Sequence, residues 1–159
     1  MNPLTSSIHD RCEMLGKSPW AREFTEDQLE KLARYLLVSE AKQGSEVFAE
    51  GAKEAYMSIV IKGIVKVIKE DSLNRKSAIA EVGPGKTLGE MSLIDGWPRS
   101  ASAVAIEDST MLVLTRDNFE HLLSDQPQLG SQILMKLAGL LSQRLRMTNW
   151  VLVECLDRA

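Results

Sequence analysis

Short apolar runs separated by turn residues fill the middle of the chain, from residue 44 to residue 114. Alternating Met57, Ile59 and Ile61 predict one strand. The other predicted strands lie at residues 64–68, 78–82, 102–106 and 111–114. Gly, Asn, Asp and Pro separate them, and the polar stretch 70–76 is typical of a hairpin tip. Strands at this spacing predict a barrel or a jelly roll.

Helical spacing replaces the strand pattern before this region. Thr25, followed three residues later by Gln28, forms a capping-box sequence that predicts the start of a helix. Apolar residues then follow with helical spacing, at Leu29, Leu32, Ala33, Leu36 and Leu37. A further short helix is predicted at residues 8–15. The first forty residues are therefore expected to be helical.

Helical spacing also returns after the strands. Residues 115–119 open a short predicted helix, and Pro127 marks the start of a longer one that is expected to run to the end of the chain. An apolar stripe follows its length at Leu134, Leu137, Leu141, Leu145, Thr148, Leu152 and Cys155. Such a stripe suits a dimer seam, and a helix folded back on its own barrel is the alternative.

One turn-rich segment, residues 89–101, holds a carboxylate and a guanidinium nine residues apart, Glu90 and Arg99. A glutamate in such a loop can accept a hydrogen bond from a ribose hydroxyl, and an arginine can hold a phosphate through two parallel charge-assisted bonds. Gly89 removes a side chain where a ligand would approach, and residues 90–94 have the composition of one helical turn. The segment predicts a pocket for an anionic sugar phosphate.

The segment at residues 83–105 resembles the phosphate-binding cassette of cyclic nucleotide-binding domains. These domains occur in regulatory subunits of cyclic AMP-dependent protein kinase, in the catabolite activator protein and in cyclic nucleotide-gated channels. Two upstream stretches, residues 44–51 and 56–67, agree with the family pattern, and the resemblance covers residues 20–147. It implies a mainly β fold with flanking helices. This β-roll or jelly roll (double-stranded β-helix) carries an N-terminal helix, a short cassette helix and a long C-terminal helix.

The resemblance also implies how the chain is organised and which residues bind the ligand. One domain would comprise an N-terminal helical segment (1–40), a β-roll (41–116), and C-terminal hinge and dimerisation helices (117–159). Glu90 would hold the ribose and Arg99 the cyclic phosphate, with backbone amides completing the cradle. The implied ligand-binding residues are Gly89, Glu90, Met91, Ser92, Arg99, Ser100 and Ala101.

The identity of the ligand is less tightly encoded. Ser100, immediately after the cassette arginine, is compatible with guanine and also occurs in bacterial members that use cyclic AMP. We expect cyclic AMP (cAMP), with cyclic GMP (cGMP) second, and no required cofactor. Trp150 is a candidate cap for the base, and an ordinary interface residue is the alternative.

Composition excludes several classes of protein. The 159 residues are 44% hydrophobic and 26% charged, and a formal net charge of −3 gives no basic footprint for nucleic acid. No apolar run reaches membrane-helix length and no signal peptide is recognised, so a cytoplasmic protein is expected. Cys12 and Cys155 form no CxxC motif and the two histidines are His9 and His121, so no metal site is predicted.

No catalytic motif is recognised, and only about a dozen residues follow Arg146, fewer than the ~20 of a helix-turn-helix motif. We therefore expect no enzyme and no direct DNA binding, but a regulatory sensor that forms a homodimer and switches an unknown protein partner through its C-terminal helices. The alternatives are a fragment or relative of a CRP-type transcription regulator, or a non-binding interaction module that keeps the fold. A cupin enzyme is disfavoured because both histidines lie outside the predicted strands.

Overall fold

Two antiparallel sheets form the core of the computed structural model, which describes all 159 residues. The strands are β1 (Asn2–Leu4), β2 (Leu37–Ala41), β3 (Glu46–Phe48), β4 (Tyr56–Lys62), β5 (Val65–Glu70), β6 (Lys76–Val82), β7 (Thr87–Leu88), β8 (Ser102–Ala105) and β9 (Ser109–Thr115). One sheet has the order β1-β2-β9-β4-β7 and the other β3-β8-β5-β6. Together with its helices this is the mainly β jelly roll that the sequence predicts.

The helices flank these sheets in the chain. They are α1 (Ile8–Lys17), α2 (Glu26–Ala33), α3 (Glu90–Asp95), α4 (Arg116–Asp125) and α5 (Pro127–Asp157), with a single 3₁₀ turn at Pro19–Ala21. The chain divides into two compact units, Met1–His121 and Leu122–Ala159. None of the helices is both long enough and apolar enough to cross a lipid bilayer.

Strand β4 is an inner strand of the first sheet, between β9 and the edge strand β7. Met57 pairs with Leu114 and Ile59 with Leu112 across the antiparallel ladder with β9. The alternation in the sequence indicates one buried face, yet Val60 on the opposite face is also fully buried. The strand therefore has core against both of its faces.

A hairpin joins β5 to β6 in the second sheet, as the polar stretch predicts. The Asp71 carboxylate accepts hydrogen bonds from the backbone N–H groups of Leu73 and Arg75, and Asn74 takes up a left-handed φ of 60°. These are the usual means by which Asp and Asn stabilise a tight turn. Residues of the turn itself therefore stabilise the hairpin tip.

The N-terminal forty residues are only partly helical, which corrects the sequence prediction. Thr25 and Gln28 form the predicted capping box, but α2 ends at Ala33, and Leu37 begins β2. Leu37 pairs with Val113 of β9, and β1 adds to the outer edge of β2. Sheet pairing over five residues overrides the helical spacing, since intrinsic propensity is a weak prior.

The C-terminal helices begin where the sequence predicts them, with Pro127 in the first turn of α5. Within this second unit Gly130 lies against Leu123, and Leu129, Ile133 and Leu137 are buried. From residue 142 onward every side chain is exposed except Glu154, which is half-buried. The last part of α5 therefore carries an unburied apolar stripe.

Candidate functional site

The cassette helix α3 lies between two glycines in left-handed conformations. Gly89, at its N-terminal end, has a φ of 82°, and Gly96, at its C-terminal end, has a φ of 72°. Gly89 follows directly on β7, whose Leu88 pairs with Ser58 of β4. Because residues with a Cβ rarely adopt this conformation, the two glycines allow the chain to turn sharply into and out of a helix of six residues.

Gly89 has a second, independent reason to be a glycine. A Cβ at this position would lie 2.5 Å from Nη1 of Arg99 and 2.7 Å from the carbonyl oxygen of Tyr56. The Arg99 guanidinium approaches the backbone so closely because Nη1 donates a hydrogen bond of 3.0 Å to the Gly89 carbonyl oxygen. The start of the cassette is therefore shaped around Arg99.

Arg99 is a buried cation held by its own backbone. It is only 3% exposed. Its N–H donates to the carbonyl of Ala52, and its carbonyl accepts from the N–H of Gly51, both at 2.8 Å. These two bonds hold Arg99 against the loop that follows β3, so the side chain starts from a fixed position.

Two aromatic rings pack against the guanidinium of Arg99. Its central carbon lies 4.1 Å from the centroid of the Phe48 ring and 4.3 Å from that of the Tyr56 ring. Nε and Nη2 are buried and have no hydrogen-bond partner in the protein. Arg99 also forms no ion pair with a carboxylate. The site thus holds a positive charge with two donor nitrogens, Nε and Nη2, to offer to an anion.

Burial shifts the pKa values of Arg99 and Tyr56. Burial lowers the pKa of the Arg99 guanidinium, and the neighbouring Tyr56 partly opposes that change. Arginine nevertheless remains protonated at neutral pH, because the pKa of a guanidinium lies far above the physiological range. Burial also raises the pKa of the Tyr56 phenol. At physiological pH the site therefore combines a charged guanidinium with a neutral phenol.

The other predicted site residues differ in their exposure. Glu90, Ser92 and Ala101 are buried, and Glu90 is only 1% exposed. Met91 and Ser100 are exposed, and Trp150 is 60% exposed on α5 in the second unit. The structure brings Gly89 and Arg99 into direct contact, with Glu90 next to Gly89 in the chain.

Lys69 on strand β5 and Glu50 in the loop after β3 also hold the cassette, although the sequence did not single them out. Lys69 Nζ donates to the carbonyl oxygen of Ser100 at 2.6 Å and to the carboxylate of Glu50. The backbone N–H of Glu50 donates to the hydroxyl of Ser102 at 2.9 Å. These bonds fix the chain just after Arg99. Phe48, Tyr56 and Lys69 lie in or beside stretches that match the family pattern, which was the only available signal.

The opposite end of the cassette helix is held by helix α4. Arg116, its first residue, donates through Nη1 to the carbonyl oxygens of Leu93 and Ile94 at 3.4 and 3.3 Å. Its Nε pairs with Glu120 at 3.1 Å. A Cβ on Gly96 would lie 2.8 Å from Nη1 of Arg116. The end of α3 and the start of α4 are therefore in direct polar contact.

Comparison with known proteins identifies the family. The family model for the cyclic nucleotide-binding domain matches residues 38–126, and the chain belongs to this family. The cyclic AMP receptor protein of Thermus thermophilus is 36% identical over 104 residues, which make up 65% of this chain and 46% of that protein. A CRP-like cAMP-activated global transcriptional regulator of Mycobacterium tuberculosis is 32% identical over 118 residues, 74% of this chain and 51% of the regulator.

Solved structures agree with this assignment. The crystal structure of a cyclic nucleotide-binding domain from Methylobacillus flagellatus matches with a TM-score of 0.77 and 34% identity, covering 88% of this chain and 79% of the other. The chain spans about half the length of the curated relatives it matches. The family is thus established for the domain.

Replacing Gly89 by alanine should destabilise the fold more than the same change at Gly51. Gly51 has a similar φ of 80°, but a Cβ there would meet nothing within 4 Å, so only backbone strain of about 1–2 kcal/mol is expected. At Gly89 the contacts with Arg99 and Tyr56 should add about 1–3 kcal/mol. Urea unfolding followed by circular dichroism measures both free energies. Equal losses of unfolding free energy for the two variants would show that Arg99 does not require a glycine at position 89.

Proposed function

We propose that this chain is a sensor that binds a cyclic nucleotide, and that cAMP is its ligand. The observation that carries the proposal is the buried guanidinium of Arg99, with Nε and Nη2 free of hydrogen bonds to the protein. Buried polar groups are nearly always hydrogen-bonded, and an unpaired buried charge is costly. A cyclic phosphate would supply the missing negative charge and accept one hydrogen bond from each of these two nitrogens in a bidentate arrangement.

The remaining contacts divide the ligand among the cassette residues. Glu90 would accept a hydrogen bond from the ribose 2′-hydroxyl, because a carboxylate is an acceptor of suitable strength on the first residue of α3. The backbone amides near Ser92, Ser100 and Ala101 would complete the phosphate cradle. Gly89 and Met91 complete the proposed ligand-binding set.

The choice of cAMP over cGMP rests on the relatives. The Thermus protein is described as a cyclic AMP receptor and the Mycobacterium protein as cAMP-activated, and both exceed 30% identity. Ser100 is compatible with either base. Trp150 is retained as the proposed base cap, since an exposed indole can stack on a purine.

Ligand binding would be transmitted from the cassette to the C-terminal helices. A ligand shifts a conformational equilibrium only through contacts that differ between two states. Arg116 links the carbonyl end of α3 to the first turn of α4, so a cassette drawn toward the phosphate would move the start of α4 with it. The proposed output is a change in the C-terminal helices that a protein partner recognises.

A second candidate function is the sensor part of a CRP-type transcription regulator. The specific observation in its favour is that the matching curated relatives are about twice as long as the matched segment, and one of them is described as a transcriptional regulator. The site and its ligand would be the same in both cases. The two candidates differ in whether the output acts on a protein partner or on DNA.

We also propose that the chain forms a homodimer through α5. Leu145, Thr148, Leu152 and Cys155 follow steps of three or four, the spacing of a two-helix seam. Leu145 and Leu152 are exposed, as is Cys155. Pairing this stripe with its copy would remove apolar surface from water.

Removal of the Arg99 side chain should abolish most of the nucleotide affinity. Arg99→Ala is expected to cost about 2–5 kcal/mol, because it deletes the charge-assisted partner of the phosphate from a buried site. Arg75→Ala is the matched control: Arg75 is exposed and pairs with Asp71 at the hairpin tip, so it should leave the affinity unchanged. Calorimetric titration with cAMP, and then with cGMP as competitor, measures the affinity of refolded, ligand-free protein.

Two results would contradict the proposed function. If the unaltered chain shows no heat and no thermal stabilisation at millimolar cAMP or cGMP, it binds neither nucleotide and keeps the fold for interaction alone. If it binds cAMP but Arg99→Ala binds equally well, the ligand lies elsewhere.

A parallel dimer seam on α5 predicts disulfide cross-linking through Cys155. Because the two copies of Cys155 would face each other across the seam, mild oxidation should convert the Cys12→Ser variant into a covalent dimer. Cys155→Ser is the matched control and should remain uncross-linked. Non-reducing electrophoresis after oxidation at low micromolar concentration measures the yield. Monomers by light scattering, with no cross-link in Cys12→Ser, would contradict the dimer.

A further inference from the structure

Arg99 is packed against two aromatic rings that the proposed binding roles do not use. We propose that Phe48 and Tyr56 are positioning residues for the phosphate contact: they hold and stabilise the Arg99 cation while leaving its Nε and Nη2 donors to the ligand. This inference rests on the proposed function and adds to it the residues that prepare the arginine. The pair of rings is called the aromatic clip below.

The geometry of the aromatic clip restricts the guanidinium on several sides. Its central carbon lies 4.1 and 4.3 Å from the two ring centroids, within the ~6 Å over which a cation is attracted to a ring face. The two rings meet edge to face, at 76° and 6.1 Å between centroids, so Arg99 lies in the corner between them. The hydrogen bond from Nη1 to Gly89 adds a third restraint. Little freedom of the side chain remains to be lost on binding.

The clip is itself held in place. The Tyr56 hydroxyl donates a hydrogen bond of 2.8 Å to the carbonyl oxygen of Val47, the residue before Phe48. This bond joins the start of β4 to β3, the strand that carries the other ring. Phe48 is buried and Tyr56 is half-buried. The ring positions are therefore fixed by the sheets and not by the ligand.

Aromatic contacts have a chemical advantage over a carboxylate at this position. A carboxylate beside Arg99 would occupy the N–H groups and neutralise the charge, and so compete with the phosphate. A ring face stabilises the cation without accepting its remaining N–H bonds. Other arginines in this chain do use carboxylates four residues away: Arg34 with Glu30, Arg75 with Asp71, Arg116 with Glu120 and Arg158 with Glu154. Arg99 is buried and lacks such a partner.

Two substitutions of Tyr56 distinguish the contribution of its ring to binding from that of its hydroxyl. Tyr56→Leu keeps an apolar side chain but removes the aromatic face, and it should weaken cAMP binding about tenfold. Tyr56→Phe keeps the ring and loses the hydroxyl with its bond to Val47, so its affinity should stay within about threefold of the unaltered chain. Calorimetric titration measures the affinities, and thermal unfolding of the ligand-free variants verifies that each is folded. Rescue by phenylalanine but not by leucine is the expected signature of positioning.

Each other outcome has a distinct meaning. Equal affinity of Tyr56→Leu and the unaltered chain would overturn the inference, and so would a Tyr56→Phe variant as weak as Tyr56→Leu, because the hydroxyl would then be the essential group. If Tyr56→Leu does not fold, Phe48→Leu carries the test at the other ring. A tenfold loss there supports the clip and an unchanged affinity overturns it. An unaltered chain that binds no nucleotide refutes the proposed function and this inference together.

Discussion

Burial of the Arg99 guanidinium is the constraint on which the rest of the site depends. A buried charge costs several kcal/mol unless nearby groups stabilise it. Here the stabilisation comes from the carbonyl of Gly89 and from the rings of Phe48 and Tyr56, with no carboxylate in an ion pair. The cation is thus kept in the folded domain but not neutralised. The absence of a side chain at Gly89 follows from the same contact, because a Cβ would collide with Nη1.

The two sheets explain how these groups come together. Phe48 lies on β3 in one sheet and Tyr56 on β4 in the other, while Gly89 follows β7, which pairs with β4. Arg99 comes just before β8 and is tied by its backbone to Gly51 and Ala52. The β-roll therefore positions the cassette, and Arg116 connects the far end of its helix to α4. Arg99 and the start of α4 therefore contact the same short helix, α3, at its two ends.

Local patterns in the sequence predict much of this fold because local physics decides it. The capping box at Thr25, the hairpin at Asp71 and the helix start at Pro127 each depend on neighbouring residues, and each is confirmed. The predicted end of α2 is wrong, because Leu37 pairs with a residue of β9 that lies more than seventy positions further along the chain. No local pattern contains that information.

In the candidate site, too, local patterns predict some residues, and contacts between distant strands determine the others. The turn-rich segment and the family resemblance both indicate Glu90 and Arg99, which are buried in the structure, and their binding roles stay predictions. The aromatic clip could not be predicted, because Phe48 and Tyr56 reach Arg99 only through the pairing of distant strands. Lys69, which holds the Ser100 carbonyl, was missed for the same reason.

The central claim is that the spare donors of Arg99 receive the phosphate of a cyclic nucleotide, and nitrogen-15 NMR of arginine side chains tests it most directly. The Nε–H resonance of Arg99, assigned by its absence in Arg99→Lys, should move downfield when cAMP is added and stay unchanged with adenosine, which lacks the phosphate. Backbone resonances that shift on binding while the Arg99 Nε–H resonance stays still would contradict the account.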